Sequence, residues 1–229
     1  MRWPPGSRGS PEPAGWSAPK GYTQAFTDTL IELADTLVDD FDVVVIPSGF
    51  GIGGRLGESG QAALARWVRN GGTLVTLDAA TAWLASEDAG LARLRLREDT
   101  ATADGAGAPL PADVPGAILR TVADTLSPLL AGLGRTEVPV MLFSDRVYVT
   151  PDDVRPGEVV LRFADADRVR LAGYVWPEVP ERLAGTPYLW TESLGRGRVI
   201  GFAGDPNFRA MFRGLLPLFA NAVFLGGTF

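Results

Sequence analysis

The apolar residues of this chain fall into two kinds of pattern that alternate along it. From Thr23 to Val38 and from Ser59 to Asn70, apolar positions recur on one helical face. Residues 43–46, 73–77 and 199–203 are instead uninterrupted β-prone runs, as expected of strands that are covered on both faces. The alternation predicts an α/β fold with a mostly parallel sheet and helices on both of its faces.

The pattern changes between residues 117 and 193. Short strand-like runs are separated there by Asp, Pro and Gly turns, which predicts a β-rich insertion, antiparallel in character, at the edge of the main sheet. Residues 1–20 are rich in Pro, Gly and Ser and are typical of a disordered tail or the remnant of a linker. Residues 21–229 then form one domain, in which Glu98–Pro115 is expected to be a mobile loop.

Two strand-to-helix turns carry the candidate chemistry. Asp78 follows the run at 73–77, and Asp205 follows the run at 199–203, with Pro206 at the first position of a helix expected to reach about Phe224. Because ligands collect at the carboxyl ends of parallel strands, the two carboxylates could share one crevice. There they could act as acid and base, or bind a hydroxyl-rich ligand or a divalent cation. The alternative, which the preference of Asp for helix starts favours, is that each is an N-cap.

Four residues near these turns are ligand-binding candidates. Arg209, one turn into the last helix, could hold an anionic group or pair with a carboxylate, and Asn207 could donate a hydrogen bond. Ser48 and Gly49 belong to the glycine-rich loop at 47–54, which could cradle a phosphate. However, this loop has no Gly-Lys-Ser/Thr ending and no GxGxxG spacing, and we expect no helix directly after it. Its glycines are also explained by a close crossing of the sheet edge.

Two further groups of residues have both a functional and a structural interpretation. The acidic positions at 152–153 and 165–167 do not match the spacing of a calcium-binding loop and are typical of hairpin turns. The aromatic residues Tyr174, Trp176 and Trp190 could line a sugar-binding groove, whereas large aromatic residues in strands more often pack in a core or at an edge.

Composition excludes several classes of function. The chain has no Cys and no His, so it can supply neither a thiol nucleophile, nor a His-containing catalytic triad, nor a Cys- or His-ligated metal site. We expect no cofactor and no metal. The net charge of −6 and the scattered basic residues argue against nucleic acid as a partner. Arg213, Pro217 and Asn221 interrupt the apolar C-terminus, which therefore predicts a core helix rather than a membrane span.

An ordered set of motifs resembles a known family. The set comprises Leu64-x-x-Trp67-Val68-Arg69-x-Gly71-Gly72-Thr73-Leu74-Val75, then Val114-Pro115-Gly116, Ser127-Pro128-Leu129-x-x-Gly132, Gly195-x-Gly197-Arg198-Val199, Asp205-Pro206-x-Phe208-Arg209 and Asn221-Ala222. Together they resemble the non-catalytic C-terminal domain of some large bacterial zinc carboxypeptidases of the carboxypeptidase A-like family. The resemblance covers about residues 40 to 225. It implies a flavodoxin-like, class I glutamine amidotransferase-like fold.

The departures from that family determine the expected function. An active amidotransferase of this fold needs a cysteine at the strand-to-helix elbow, here about Asp78–Ala80, and a later histidine, and the sequence has neither. A zinc carboxypeptidase needs a catalytic domain with His-x-x-Glu, which this chain also lacks. The resemblance therefore implies a pseudoenzyme: an inactive accessory or binding domain whose partner is a metallocarboxypeptidase catalytic domain or another protein. The alternative is a carboxylate-dependent hydrolase or carbohydrate-binding domain that uses Asp78 and Asp205.

Three properties stay open at this point. The chain could be a fragment of a longer secreted peptidase, which would place it outside the cytoplasm, but residues 1–20 contain no apolar signal segment. A domain of this family would also begin with a strand that residues 1–20 do not resemble. Homo-oligomerisation is compatible with the sequence and is not determined by it.

Overall fold

The computed structural model describes residues 41–49, 51–97, 114–210 and 212–228. The predicted tail at 1–20, the predicted helix at 23–38 and most of the predicted loop at 98–115 lie outside these described residues.

One mixed sheet dominates the described part of the chain. Its strands are β1 (Val43–Ile46), β2 (Thr73–Leu77), β4 (Ala117–Ala123), β5 (Glu137–Leu142), β7 (Val159–Phe163), β8 (Arg170–Ala172), β9 (Pro187–Leu194) and β10 (Gly197–Phe202). They lie in the order β1-β2-β10-β9-β7-β4-β5, and β8 also pairs with β4. Two short strands, β3 (Arg95–Leu96) and β6 (Tyr148–Val149), pair separately.

The sheet has a parallel part and an antiparallel part. The ladders between β1 and β2 and between β2 and β10 are parallel, and those between the remaining neighbours are antiparallel. The predicted β-rich insertion therefore continues the main sheet at its edge, as expected. The parallel part is limited to three strands, because β9 returns to β10 through a two-residue turn instead of a crossover helix.

Four α-helices accompany the sheet in the described residues: α1 (Ile52–Arg69), α2 (Ala79–Leu84), α3 (Val179–Leu183) and α4 (Leu216–Phe224). A β-carbon placed on Gly201 would lie 2.8 Å from Thr81 Cγ2 in α2, whereas one placed on Gly226, just after α4, would lie 3.0 Å from Ile200 Cδ1. Because successive strand residues point to opposite faces, α2 and the end of α4 lie on opposite faces of β10. The predicted arrangement of helices on both faces is confirmed.

Helix α1 begins earlier than its sequence pattern indicates. It follows the glycine-rich loop directly, with Gly51 at φ 65° before Ile52, and contains a break at Gly57 (φ 62°, ψ 176°). The expectation that this loop does not lead into a helix is therefore wrong. Only the part after the break shows the amphipathic period, since the first turn is rich in glycine.

The C-terminal helix differs from its predicted length. The chain after Asp205 forms short 3-10 turns at Phe208–Ala210 and Arg213–Leu215, and α4 starts only at Leu216, with Pro217 in its first turn. Proline fits the start of a helix but not its interior, which explains the late start. Leu218 and Ala222 of α4 are fully buried. In the described part of the chain, no helix is both long and apolar enough to cross a lipid bilayer.

Candidate functional site

The turn from β2 into α2 is a sharp elbow centred on Asp78. Its backbone has φ 48° and ψ −112°, a combination that is strained for any residue with a β-carbon. Its N–H donates to Phe202 O at 2.9 Å, and its carbonyl accepts the N–H of Thr81 at 2.9 Å. The Thr81 hydroxyl, which is buried, in turn donates to Phe202 O at 2.7 Å. These bonds fix the elbow against the end of β10 and hold Asp78 in its strained conformation.

The side chain of Asp78 does not cap the helix. Arg146 Nη1 donates to Asp78 Oδ1 at 2.7 Å, and Ser48 Oγ donates to Asp78 Oδ2 at 2.7 Å. The carboxylate makes no capping hydrogen bond to α2. The capping interpretation is therefore wrong for Asp78. Its carboxylate is held in place by one cation and one hydroxyl, each from a distant part of the chain.

Asp205 also fails to begin a helix, although its side chain contacts its own backbone. The Asn207 N–H donates to Asp205 Oδ1 at 2.8 Å, and the Phe208 N–H donates to Asp205 O at 3.3 Å. This is the geometry of an Asx turn, and it is followed by Arg209 at φ 49°. The turn brings the half-buried Asp205 carboxylate to the end of β10, next to the end of β2.

Asp78 and Asp205 line one cavity of about 240 Å³. Its other lining residues are Ser48, Met141, Phe143, Gly204 and Phe208. The rings of Phe143 and Phe208 lie with their centroids 4.8 Å apart, tilted by 39°. The cavity thus combines two carboxylates with an aromatic wall. Its volume is smaller than the roughly 300–1,000 Å³ of pockets for drug-sized ligands.

Tyr188 lies next to Gly204 of the cavity lining, and its hydroxyl is buried. A β-carbon placed on Gly204 would lie 2.9 Å from Met141 O and 3.2 Å from Tyr188 Oη, so glycine is required where the ends of β5 and β10 approach each other. Burial raises the pKa of Tyr188, and the Asp205 and Asp78 carboxylates raise it further. The hydroxyl therefore stays protonated, and it makes no hydrogen bond to any described residue.

A second buried tyrosine lies on the Arg146 side of the elbow. Burial raises the pKa of Tyr148, although the positive charge of Arg146 acts in the opposite direction, and the Asp78 carboxylate again acts to raise it. The Arg146 and Asp78 side chains are each about one quarter exposed. Their ion pair is therefore partly accessible to solvent.

The remaining predicted site residues have different positions. Ser48 is in the cavity, and Gly49 follows it in the loop without contributing to the lining. Asn207 takes part through its backbone N–H, which donates to Asp205 Oδ1. Arg209 is exposed, and its guanidinium lies 5.2 Å from the centroid of the Phe208 ring. Trp190 is fully buried, so it belongs to the core.

The sequence pattern did not indicate Arg146, Phe143 or Tyr188 as parts of this site. Arg146 is 68 positions from the Asp78 that it contacts, and Phe143 directly follows β5. Each is the first or last residue of a short strand-like run of the sequence, and this is the signal that could have indicated them. In the described residues, no group of three or more His, Cys, Asp or Glu side chains could hold a metal ion, so the divalent-cation interpretation receives no support from a ligand cluster.

Comparison with known proteins supports the fold. No protein-family model matches the sequence, and no curated protein matches it. Among solved structures, the cytoplasmic protein STM1381 from Salmonella typhimurium LT2 is similar at 14% identity, covering 84% of this chain and 74% of that one, with a TM-score of 0.52. A ThuA-like protein from Bacteroides uniformis is similar at 15% identity, covering 84% and 72%, with a TM-score of 0.50.

PurLQS from Thermotoga maritima is also similar, at 17% identity over 80% of this chain and 79% of that one, but with a TM-score of 0.49. The assignment of fold rests on the two former structures. ThuA-like proteins have an amidotransferase-like fold, so the predicted α/β, amidotransferase-like fold class is confirmed. None of these likenesses points to a carboxypeptidase.

Proposed function

We propose that this chain is an amidotransferase-like accessory domain that binds a small hydroxyl-rich ligand, such as one sugar unit, in the cavity at Asp78 and Asp205. It does not hydrolyse glutamine. The partner that we propose for it is the catalytic domain of a zinc metallocarboxypeptidase.

One observation carries the proposal: the strained elbow is retained, but an aspartate occupies it. Strain of this kind costs about 1–3 kcal/mol and is usually kept where function requires it. A chain without Cys or His cannot use the elbow for thiol chemistry. Asp78 is instead held by Arg146 and Ser48, which lowers its reactivity as a nucleophile but fixes its oxygens as hydrogen-bond acceptors.

The lining of the cavity favours a sugar over a purely apolar or purely charged ligand. Carboxylates accept hydrogen bonds from hydroxyl groups, and these charge-assisted bonds are stronger than neutral ones. Phe143 and Phe208 also line the cavity, and the faces of aromatic rings carry partial negative charge. The C–H face of a sugar ring is weakly positive and packs on such a surface. A sugar ring has both hydroxyl groups and a C–H face, so it matches both kinds of lining residue.

The proposed test is a binding measurement on the purified chain. Glucose, galactose, mannose and N-acetylglucosamine are titrated and followed by saturation-transfer NMR and calorimetry. We expect at least one of them to bind, and Asp78→Asn and Asp205→Asn each to weaken that binding by about tenfold or more, since each removes a charged acceptor. Asp88→Asn, at an exposed turn, is the matched control and leaves binding unchanged. Unchanged binding in both site variants would refute the proposed site.

The carboxypeptidase association is supported by the motif resemblance alone, and it has its own test. Sedimentation of the chain mixed with a purified bacterial zinc carboxypeptidase catalytic domain is expected to give a complex. Separate migration of the two proteins at micromolar concentration would contradict the association. Glutamine hydrolysis, or a chelator-sensitive peptidase activity, from the purified chain would contradict the accessory role itself.

A second candidate is a carboxylate-dependent glycoside hydrolase. The observation that favours it is that Asp78 and Asp205 line the same cavity, as a catalytic acid and base would. It predicts release of nitrophenol from nitrophenyl glycosides that either Asn variant abolishes. The binding proposal predicts no turnover of these compounds, only competition by them with the bound sugar.

A further inference from the structure

We infer that the ligand of this cavity carries a protonated amine, as an amino sugar does, and that Asp205 is the residue that recognises the amine. This inference rests on the proposed function, because it names a class of sugar for the same cavity. It adds the charge of the ligand, and it assigns different roles to the two carboxylates. Asp78 pairs with a cation of the protein, and Asp205 pairs with a cation of the ligand.

The two carboxylates differ in their partners. Asp78 forms an ion pair with Arg146 at 2.7 Å and accepts a hydrogen bond from the Ser48 hydroxyl. Among the described residues, no cationic nitrogen lies within 4 Å of the Asp205 carboxylate, whose Oδ1 accepts the Asn207 N–H at 2.8 Å and whose Oδ2 accepts no hydrogen bond. Asp205 is half-buried, so its carboxylate has lost part of its hydration without gaining a counter-ion. A cationic group of a ligand would supply that counter-ion.

The turn after β10 places an aromatic ring in the same cavity as this carboxylate. The Asx turn that begins at Asp205 leads to Phe208, and both residues line the cavity. Phe143 lines it as well, with its ring centroid 4.8 Å from that of Phe208. The face of a phenylalanine ring attracts a cation that lies within about 6 Å of its centroid. The carboxylate and the rings therefore attract the same kind of group, a cation.

The other charged and titratable groups around the cavity leave this attraction in place. Arg146 is engaged by Asp78. The Arg209 guanidinium lies 5.2 Å from the centroid of the Phe208 ring, which is the approach of a cation to an aromatic ring that we infer for the ligand. Arg209 is exposed, so solvent and salt screen its repulsion of a second cation. Burial raises the pKa of Tyr188, so its hydroxyl stays neutral and adds no charge.

An amino sugar combines the chemical groups that this lining recognises. Its hydroxyl groups donate hydrogen bonds to carboxylates, its C–H face packs on aromatic rings, and its ammonium group pairs with a carboxylate and with the face of a ring. Glucosamine, N-acetylglucosamine and glucose differ at a single ring position, and glucosamine is the charged member of the three. They therefore isolate the effect of the charge from the effect of the sugar ring.

The test compares charged and neutral sugars of matched shape. These three sugars and the corresponding galactose series are titrated by calorimetry against the full chain, at low ionic strength and near neutral pH. We expect the amino sugar to bind about tenfold more tightly than its neutral counterparts, the combined effect of one partly exposed ion pair and one cation–π contact. Raising the pH until the amine of the sugar is neutral should remove this preference.

The variants assign the preference to one carboxylate. Asp205→Asn is expected to bring the affinity ratio of amino sugar to neutral sugar close to one. Asparagine keeps an acceptor for the Asn207 N–H, so the Asx turn is retained in this variant. Asp88→Asn, at an exposed turn, changes the net charge of the chain by the same amount and leaves the ratio unchanged.

The outcomes separate this inference from the function on which it rests. If amino and neutral sugars bind equally, the inference is refuted while the sugar-binding cavity stands. If the preference persists in Asp205→Asn, the role of Asp205 is refuted. If ethylamine binds as tightly as glucosamine, the proposed sugar binding is refuted while the pairing of an amine with the cavity stands. If no sugar of either series binds, both are refuted.

Discussion

Replacing Asp78 by Gly and by Ala separates the strain of the elbow from the hydrogen bonds of its side chain. Both variants lose the same bonds to Arg146 and Ser48, so these cancel when the two are compared. The conformation at φ 48°, ψ −112° destabilises a residue with a β-carbon by about 1–3 kcal/mol. Glycine avoids this strain, but it loses more backbone entropy on folding, which costs about 0.5–1 kcal/mol. We therefore expect Asp78→Gly to be more stable than Asp78→Ala by about 1 kcal/mol.

The assay is urea unfolding followed by circular dichroism and tryptophan fluorescence, with thermal melts as a second measure. For a domain of this size, 1 kcal/mol corresponds to a Tm difference of about 2–4 °C. The matched control is Asp88, an exposed turn residue that is not among the described residues with positive φ, where Ala should be as stable as Gly or more so. If Asp78→Ala is as stable as Asp78→Gly or more stable, the elbow is not strained. The main structural reason for placing a function there is then refuted as well.

Three other changes test the packing and electrostatics around the site. Gly197→Ala should leave little folded protein, because its β-carbon would overlap the Val68 carbonyl. A β-carbon on Gly54 would have no atom within 4 Å, so Gly54→Ala should stabilise α1 by up to about 1 kcal/mol. Equal solubility and stability of the two variants would contradict this. Burial raises the pKa of Glu192 more than the hydrogen bonds and charge of Arg93 lower it. Ionised Glu192 therefore destabilises the folded state. This cost is absent below the ordinary pKa of the carboxyl group and grows as pH rises through the raised pKa. Glu192→Gln should remove that loss, and an unchanged pH profile of unfolding would argue against the raised pKa. Asn221→Ala removes two hydrogen bonds that the side chain donates, to Leu129 O at 2.9 Å and to Ala131 O at 2.8 Å. It should lower the free energy of unfolding, measured in urea, by about 1–2 kcal/mol. Thr228→Ala, at an exposed position, is the control.

The sequence predicted the elements of this fold well because their signals are local. The runs at 43–46, 73–77 and 199–203 have few residues that could interrupt a strand, and the structure has strands there with ends within one or two residues. The insertion was recognised from turn residues that recur between short β-prone runs. Its pairing order could not be predicted, since β4 has three partners from different parts of the chain and no local pattern specifies which strands meet.

The errors came from residues with two compatible local roles. Asp78 after a strand and before a helix fits an N-cap, and only the approach of Ser48 and Arg146 shows that its carboxylate is used elsewhere. Pro206 fits a helix start as well as it fits a turn, and the chain there forms a turn. In both cases the local preference was correct for the residue type. For Asp78, the contacts with Ser48 and Arg146 decided between the alternatives.

The sequence by itself determined the α/β class, the absence of thiol and imidazole chemistry, and the position of both aspartates at strand ends. The α/β class and the strand ends follow from the hydrophobic period, which acts over a few residues at a time. The absence of thiol and imidazole chemistry follows from the composition of the chain. Only the tertiary structure decided that Asp78 and Asp205 line one cavity with Phe143 and Phe208, and that Arg146 holds the first of them. The physical reason is that these groups come from strand ends far apart in the chain, and the packing of the whole sheet brings them together.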